Sequence, residues 1–193
     1  MSDANTNPVA APPADATSKR EREETANELE DAAPARKKFT FTPKKVPGGV
    51  VPSLIVDGAR AAIEFYGKAF GATCTSAYED DAEGSDKLHF ADVVVPIGGN
   101  DFHVYIFDDF PEYNGGKPSH PGADGLNGTS CAVTLNLISA ADVNTWHDRA
   151  VAAGATSLRP PADQPWGDRF AQIKDPFGHK WSICSFIEPT SSS

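Results

Sequence analysis

Along residues 50–193 the spacing of apolar positions changes several times, and each change marks an element. Residues 50–56 (VVPSLIV) are a β-rich apolar run that predicts a strand. Ala59, Ile63, Tyr66 and Phe70 then recur at separations of four, three and four, which makes one apolar stripe of a helix. Asp57 stands where an N-cap belongs, and Gly71 where a left-handed residue ends a helix. Strand-like segments follow at residues 73–78, 87–95 and 101–107, with Gly98-Gly99-Asn100 as the hairpin turn into the last.

The same order of signals then repeats. Residues 131–156 (CAVTLNLISAADVNTWHDRAVAAGAT) pass from an extended run to a helix striped by Val143, Trp146, Ala150 and Ala153. Ser139-x-x-Asp142 reads as a capping box and Gly154 closes the helix. Strands are expected at residues 157–159, 168–174 and 179–186, with Asp175-Pro176-Phe177-Gly178 turning between the last two. Gly71-Ala72-Thr73 and Gly154-Ala155-Thr156 lie 83 residues apart, and at that offset Ile63 matches Trp146 and Leu54 matches Leu137. The pattern predicts an α+β protein of two β-α-β-β-β modules, residues 50–108 and 129–188, followed by a short tail at 189–193. The connection, residues 109–128, is long and rich in glycine, and is expected to act as a lid.

Residues 1–49 are different. Their large apolar groups are Met1, Val9, Leu29, Phe39, Phe41 and Val46, too few to offset the entropy of ordering the segment. A disordered tail is expected, with residues 18–30 (SKREREETANELE) as a short, marginal helix. Its basic clusters, Lys19-Arg20, Arg36-Lys37-Lys38 and Lys44-Lys45, read either as a solvated extension or as a bipartite nuclear import signal.

Charge sharpens this division. The chain of 193 residues has a formal net charge of −10, and the tail, with eight basic and eight acidic residues, contributes nothing to it. An acidic folded part is not expected to bind nucleic acid, which requires a basic face. No aliphatic run is longer than Val93-Val94-Val95, so no membrane span is expected, and no apolar segment of a secretory signal follows Met1. Cys74, Cys131 and Cys184 are odd in number and widely spaced, which points to reduced thiols in a cytoplasmic protein, with a nuclear location as the alternative.

Two modules carrying Ala62-Ile63-Glu64-Phe65-Tyr66, Phe70-Gly71-Ala72, Asp108-Asp109-Phe110-Pro111-Glu112, Ala152-Ala153-Gly154-Ala155, Asp163-Gln164-Pro165-Trp166-Gly167-Asp168-Arg169 and Asp175-Pro176-Phe177-Gly178-His179-Lys180-Trp181 resemble the vicinal oxygen chelate superfamily. That superfamily includes glyoxalase I, bleomycin-resistance proteins and extradiol dioxygenases, and the nearer resemblance is to its PhnB-like subgroup. The resemblance covers about residues 50–186. It implies facing curved sheets around a cavity, a small-molecule ligand and a homodimer. In metal-using members it also implies a divalent ion held by side chains of both modules.

At the positions where the resemblance places those ligands, this chain has Val51 or Pro52, Asp92, Val133-Thr134 and Ser182. Asp92 alone is a metal-binding side chain, so no metal cofactor is expected, with Asp92 as the best candidate should one bind. The expected ligand site is a cavity lined by His89, Asp92, His103, Tyr105 and Asn136, with Trp166, Asp168 and Arg169 at its mouth. Strand alternation puts His103 and Tyr105 on one face and separates His89 from Asp92.

Several of these residues also have plainer roles. Trp166 to Arg169 reads equally as a turn stapled by an Asp-Arg pair beneath a covering indole. His179 reads as a turn residue, His120 as solvated, His147 as lying at the surface, and Cys131 and Cys184 as core thiols. Asn114 to Ser119 lacks the spacing of a phosphate loop, and Pro118 blocks the helix that should follow it. The expected function is metal-independent small-molecule binding. The alternatives are a divalent-metal-dependent lyase, epimerase or dioxygenase acting on vicinal oxygens, and a scaffold whose tail docks a partner.

Overall fold

The computed structural model describes residues 38, 39, 41, 48–123 and 128–188. The expected helix at 18–30 and the basic clusters other than Lys38 lie outside the described residues. Two described residues ahead of position 50, Phe39 and Phe41, contact the first module. The backbone N–H of Phe39 donates to Glu79 Oε1 at 3.0 Å, and the Arg60 guanidinium lies 5.3 Å from the Phe39 ring centre. Phe41 meets Tyr78 edge to face at 5.8 Å.

The first module runs β1 (Ser53–Val56), α1 (Ala59–Phe70), β2 (Thr73–Glu79), β3 (Leu88–Ile97) and β4 (Asn100–Asp108). The second runs β5 (Ala132–Asn136), α2 (Ala140–Ala152), β6 (Thr156–Asp163), β7 (Asp168–Lys174) and β8 (Lys180–Phe186). The sheets are ordered β1-β4-β3-β2 and β5-β8-β7-β6, the same plan twice. In each, the first strand pairs in parallel with the last, and the other pairs are antiparallel. The expected α+β fold of two β-α-β-β-β modules is therefore present, with neither sheet closed into a barrel.

Each helix is the parallel crossover between the first strand and the far edge of its sheet, and its apolar face covers that sheet. The buried face of α1 is wider than its predicted stripe: Ala59, Ala62, Phe65, Tyr66, Ala69 and Phe70 are buried, and Ile63 sits at the rim. The reason is tertiary, because α1 meets the second module as well as its own sheet. Phe70 stacks on Trp146 at 5.9 Å, Tyr66 lies 5.2 Å from Trp181, and Arg149 donates to Ala69 O at 2.8–2.9 Å. One hydrophobic core consequently spans both modules.

Local chemistry differs from expectation in four places. Asp57 does not cap α1; Asp108, at the end of β4, accepts from the N–H groups of Gly58 and Ala59 at 3.0 and 2.9 Å and also holds Leu88 N. Ser139 does cap α2, accepting from Ala141 N at 3.2 Å. His147 is buried instead of superficial, because it lies one turn from Val143 and Nε2 bonds Ser157 Oγ at 2.8 Å. Cys131 is exposed ahead of β5, whereas Cys184 is buried on β8. His120 is held by its Asp109 partner instead of being free in solvent.

The connection between modules begins with a 3-10 turn, Pro111–Asn114, and is tied back by Asp109. That carboxylate accepts from Ser119 N at 2.6 Å, Ser119 Oγ at 3.1 Å, His120 N at 3.0 Å and His120 Nδ1 at 2.7 Å.

Candidate functional site

A cavity of about 420 Å³ is walled by the paired ends of β3 and β4, by β5, and by Gly48–Pro52 leading into β1. Its surface is mostly apolar, from Val51, Pro52, Val95, Ile97, Phe102, Val104, Val133 and Leu135. Polar residues of the lining are Asp101 and His103 on β4 and Thr134 and Asn136 on β5. The described part of the loop at 109–128 does not line this cavity, so the lid expected over it is replaced at that wall by residues 48–52. The cause is the anchoring of the loop on Asp109 and the packing of Pro121 under the Gly178 turn, against a separate, more polar hollow.

His103 is the most constrained polar group of the cavity. In the β3–β4 register Asp92 faces Tyr105 and Val94 faces His103, so these four side chains share one sheet face. Asp92 Oδ1 and His103 Nδ1 are 2.7 Å apart, with both side chains more than nine-tenths buried. On the other side of Asp92 the β2–β3 register slips between Cys74 and Ser76, leaving Thr75 as a bulge residue. Its hydroxyl lies 3.0 Å from Asp92 Oδ2. Both carboxylate oxygens are thus engaged, and the imidazole is held through Nδ1.

The opposite nitrogen, His103 Nε2, has no protein partner among the described residues. No fully buried side-chain nitrogen or oxygen lacks a partner there, so Nε2 is not sealed from solvent. Asn136 is exposed on β5, and its Oδ1 meets only the Cys184 thiol at 3.9 Å, which leaves its amide donors free. The Cys184 thiol itself is pushed up from its ordinary pKa by burial and then by the Asp168 charge, so it is no ready nucleophile.

Of the eight residues picked from the sequence, the cavity brings together His103 and Asn136, with Asp92 behind His103. Tyr105 is on the same face but packs edge to face on Phe90 at 4.9 Å, outside the lining. His89 is elsewhere, stacked on Phe110 at 4.4 Å with Nε2 3.3 Å from Asp80. Trp166, Asp168 and Arg169 lie at the β6–β7 turn: Trp166 Nε1 bonds Asp168 Oδ2 at 3.2 Å, and Arg169 pairs with Asp163 at 2.6 Å. The Trp166 indole is 58% exposed, so it covers no core.

The sequence reading missed Phe102, Thr134 and Thr75. Thr134 followed from alternation with Asn136, but no local signal marks the bulge that delivers Thr75.

A divalent ion is what the resemblance implies for some relatives, and the donor set was tested for it. Among the described residues no group of three or more His, Cys, Asp or Glu side chains is placed to hold a metal. Asp92 already has a partner on each oxygen, and Ser182, on β8, faces Gln172 and Thr134 across its sheet. Among the described residues, the side chains at the positions named above do not make up a three-ligand donor set.

Comparison with known proteins agrees with this architecture. The family model described as Glyoxalase/Bleomycin resistance protein/Dioxygenase superfamily matches residues 50–183. An uncharacterised protein of Mycobacterium bovis is 41% identical over 133 residues, 68% of this chain and 79% of that protein. One of Mycobacterium tuberculosis is also 41% identical over 133 residues, 68% of this chain and 71% of that protein.

Among solved structures, a Pseudomonas aeruginosa protein superposes with a TM-score of 0.54 at 25% identity, covering 72% of this chain and 98% of that one. A protein from Bacillus cereus, described as a putative 3-demethylubiquinone-9 3-methyltransferase, PhnB protein, has a TM-score of 0.52 at 16% identity, covering 72% of this chain and 99% of that one. At that identity the likeness is one of fold.

Proposed function

The chain belongs to the glyoxalase/bleomycin resistance protein/dioxygenase superfamily, and from that membership we propose that it is a small-molecule-binding protein that works without a metal. The observation that carries this reading is the cavity of about 420 Å³, apolar on most sides and bearing only a few directed polar groups. Such a lining takes a compact, largely apolar, ring-bearing ligand, with His103 and Asn136 as the contacts that orient it. Asp92 stands behind His103 and does not touch the ligand. The net charge of −10 favours neutral or cationic ligands over anions at long range.

The competing reading, a metal-dependent lyase, epimerase or dioxygenase, requires ligands that this donor set does not supply. A homodimeric, cytoplasmic protein is part of the proposal and rests on the resemblance; native mass spectrometry reads the subunit number directly.

The test is a thermal-shift screen of small aromatic compounds in EDTA, followed by calorimetric titration of those that bind. A ligand at a hundred times its Kd is expected to stabilise the fold by about 2.7 kcal/mol, with or without chelator. Val133→Trp, which fills the cavity from β5, should abolish the shift in a protein that still unfolds cooperatively. Binding that disappears with EDTA, or that survives Val133→Trp, would overturn the proposal.

A further inference from the structure

At the end of the first sheet away from the cavity, a column of rings reaches the surface, and we infer that it docks an arginine-bearing, cationic peptide segment of a partner protein. The column begins at a bulge. Between β2 and β3 the register passes from Tyr78–Phe90 to Glu79–Leu88, which leaves His89 unpaired. Its ring stacks on Tyr78 at 5.6 Å and on Phe110, just beyond β4, at 4.4 Å. Phe41 meets Tyr78 at 5.8 Å and Tyr113, on the 3-10 turn, lies 5.7 Å from Phe110, so the column is extended at both ends. Phe41, Tyr78 and Tyr113 are 51%, 46% and 76% exposed. Contiguous exposed rings with a polar rim mark an interaction surface.

The rim decides the partner. The β2–β3 connection and the 3-10 turn place Asp81, Glu83, Asp86 and Glu112 at this end of the sheet, all of them exposed. Among the described residues none of the four carboxylates has an ion-pair partner. The neighbouring cations are engaged. Arg60 pairs with Glu79 at 3.0 Å and lies over the Phe39 ring, and Lys87 Nζ donates to Asp109 O at 2.7 Å while sitting 4.8 Å from the Phe110 ring centre. Lys117 is the one further lysine or arginine between residues 78 and 117. The surplus is negative charge around ring faces, which complements a cation. Arginine suits it better than lysine, because a planar guanidinium stacks on a ring while its N–H groups reach a carboxylate. Arg60 makes that combination beside the column, with Phe39 and Glu79.

The probes are two blocked peptides of alternating glycine and cationic residues, one with arginine and one with lysine, titrated by fluorescence anisotropy into the full chain at about 50 mM salt, where surface charge is weakly screened. Their equal charge cancels the general attraction of an acidic protein. The wild type is expected to bind the arginine peptide about 10-fold more tightly than the lysine peptide. In the double variant Tyr78→Ala, Tyr113→Ala the arginine peptide is expected to weaken about 10-fold, with the lysine peptide within about 2-fold of its wild-type affinity. Tyr113→Ala alone, on an exposed turn, gives the same readout at about 3-fold and serves if the double variant does not fold. Asp81→Asn, Glu83→Gln, Asp86→Asn together should weaken both peptides.

Equal affinity of the wild type for the two peptides, or no saturable binding of either, overturns the inference. An arginine preference that survives Tyr113→Ala and the double variant overturns it as well. Self-association of the full chain that the tyrosine substitutions abolish would give the surface to a second copy in place of a cationic peptide, and so would also overturn it.

Discussion

At the residue scale, the carboxylates divide by what they are asked to hold. Asp92 orients an imidazole, while Asp175 holds a corner of the core: Tyr66 donates its hydroxyl at 2.7 Å, Trp181 its indole N–H at 2.8 Å, and Phe177 and His179 their backbone N–H groups. Burial, then the Asp175 charge, drives the Tyr66 hydroxyl well above its ordinary pKa, so it remains a donor. Asp109 anchors the inter-module loop, and it gives a pH prediction. Burial alone would raise its pKa, but the hydrogen bonds from His120 and Ser119 outweigh that and hold it below the ordinary carboxylate value. A carboxyl depressed in the folded state adds stability that is complete above its unfolded pKa and is lost as pH falls through the folded one. The wild type is therefore expected to be more stable than Asp109→Asn at neutral pH, with the gap narrowing as the solution is taken into and below the carboxylate range. Urea unfolding midpoints of the two proteins across that range measure it, and a gap independent of pH would contradict it.

At the scale of elements, most of what shaped each strand and helix is local and could be read in advance. The strand expected at 168–174 is observed as Asp168–Lys174, and those expected at 73–78 and 101–107 are observed as Thr73–Glu79 and Asn100–Asp108. β6 is longer than the weak segment at 157–159 suggested, running through Arg159-Pro160-Pro161 to Asp163. Its two prolines lie in an edge strand, where a missing N–H costs no ladder bond, and the register with β7 slips there. The cap of α1 illustrates the reverse case. Asp57 has the right residue type one position too early, and the bonds come from Asp108, which the parallel β1–β4 pairing brings alongside. Asp108→Ala is expected to lower stability by about 2–4 kcal/mol, since the two cap bonds and the Leu88 bond are lost together, and Asp57→Ala by less than about 0.5 kcal/mol. Chemical denaturation of the two variants decides between them, and equal losses would return the cap to Asp57.

For the whole molecule, the two modules share one core, and polar ties cross between them: Arg149 to Ala69 O, and His179 Nε2 to Ile55 O at 2.9 Å. Ahead of the first module, Phe39 and Phe41 rest on Arg60 and Tyr78. Replacing both by alanine in the full chain is expected to cost about 1–2 kcal/mol, from one cation–π and one edge-to-face contact with their buried area. An unchanged thermal midpoint would show that the first module does not depend on them. Periodicity by itself determined the number, order and duplication of the elements, because the alternation of apolar and polar residues is written within a few positions of each strand or helix. It also placed His103 and Tyr105 on a common strand face. Only the tertiary structure decided which polar groups meet: Asp92 with His103 and a bulged Thr75, Asp108 with the start of α1, and Asn136 across a chamber from β4. Those partners lie far apart in sequence or depend on a register slip, and a hydrogen bond between distant residues leaves no periodic trace in the chain that makes it.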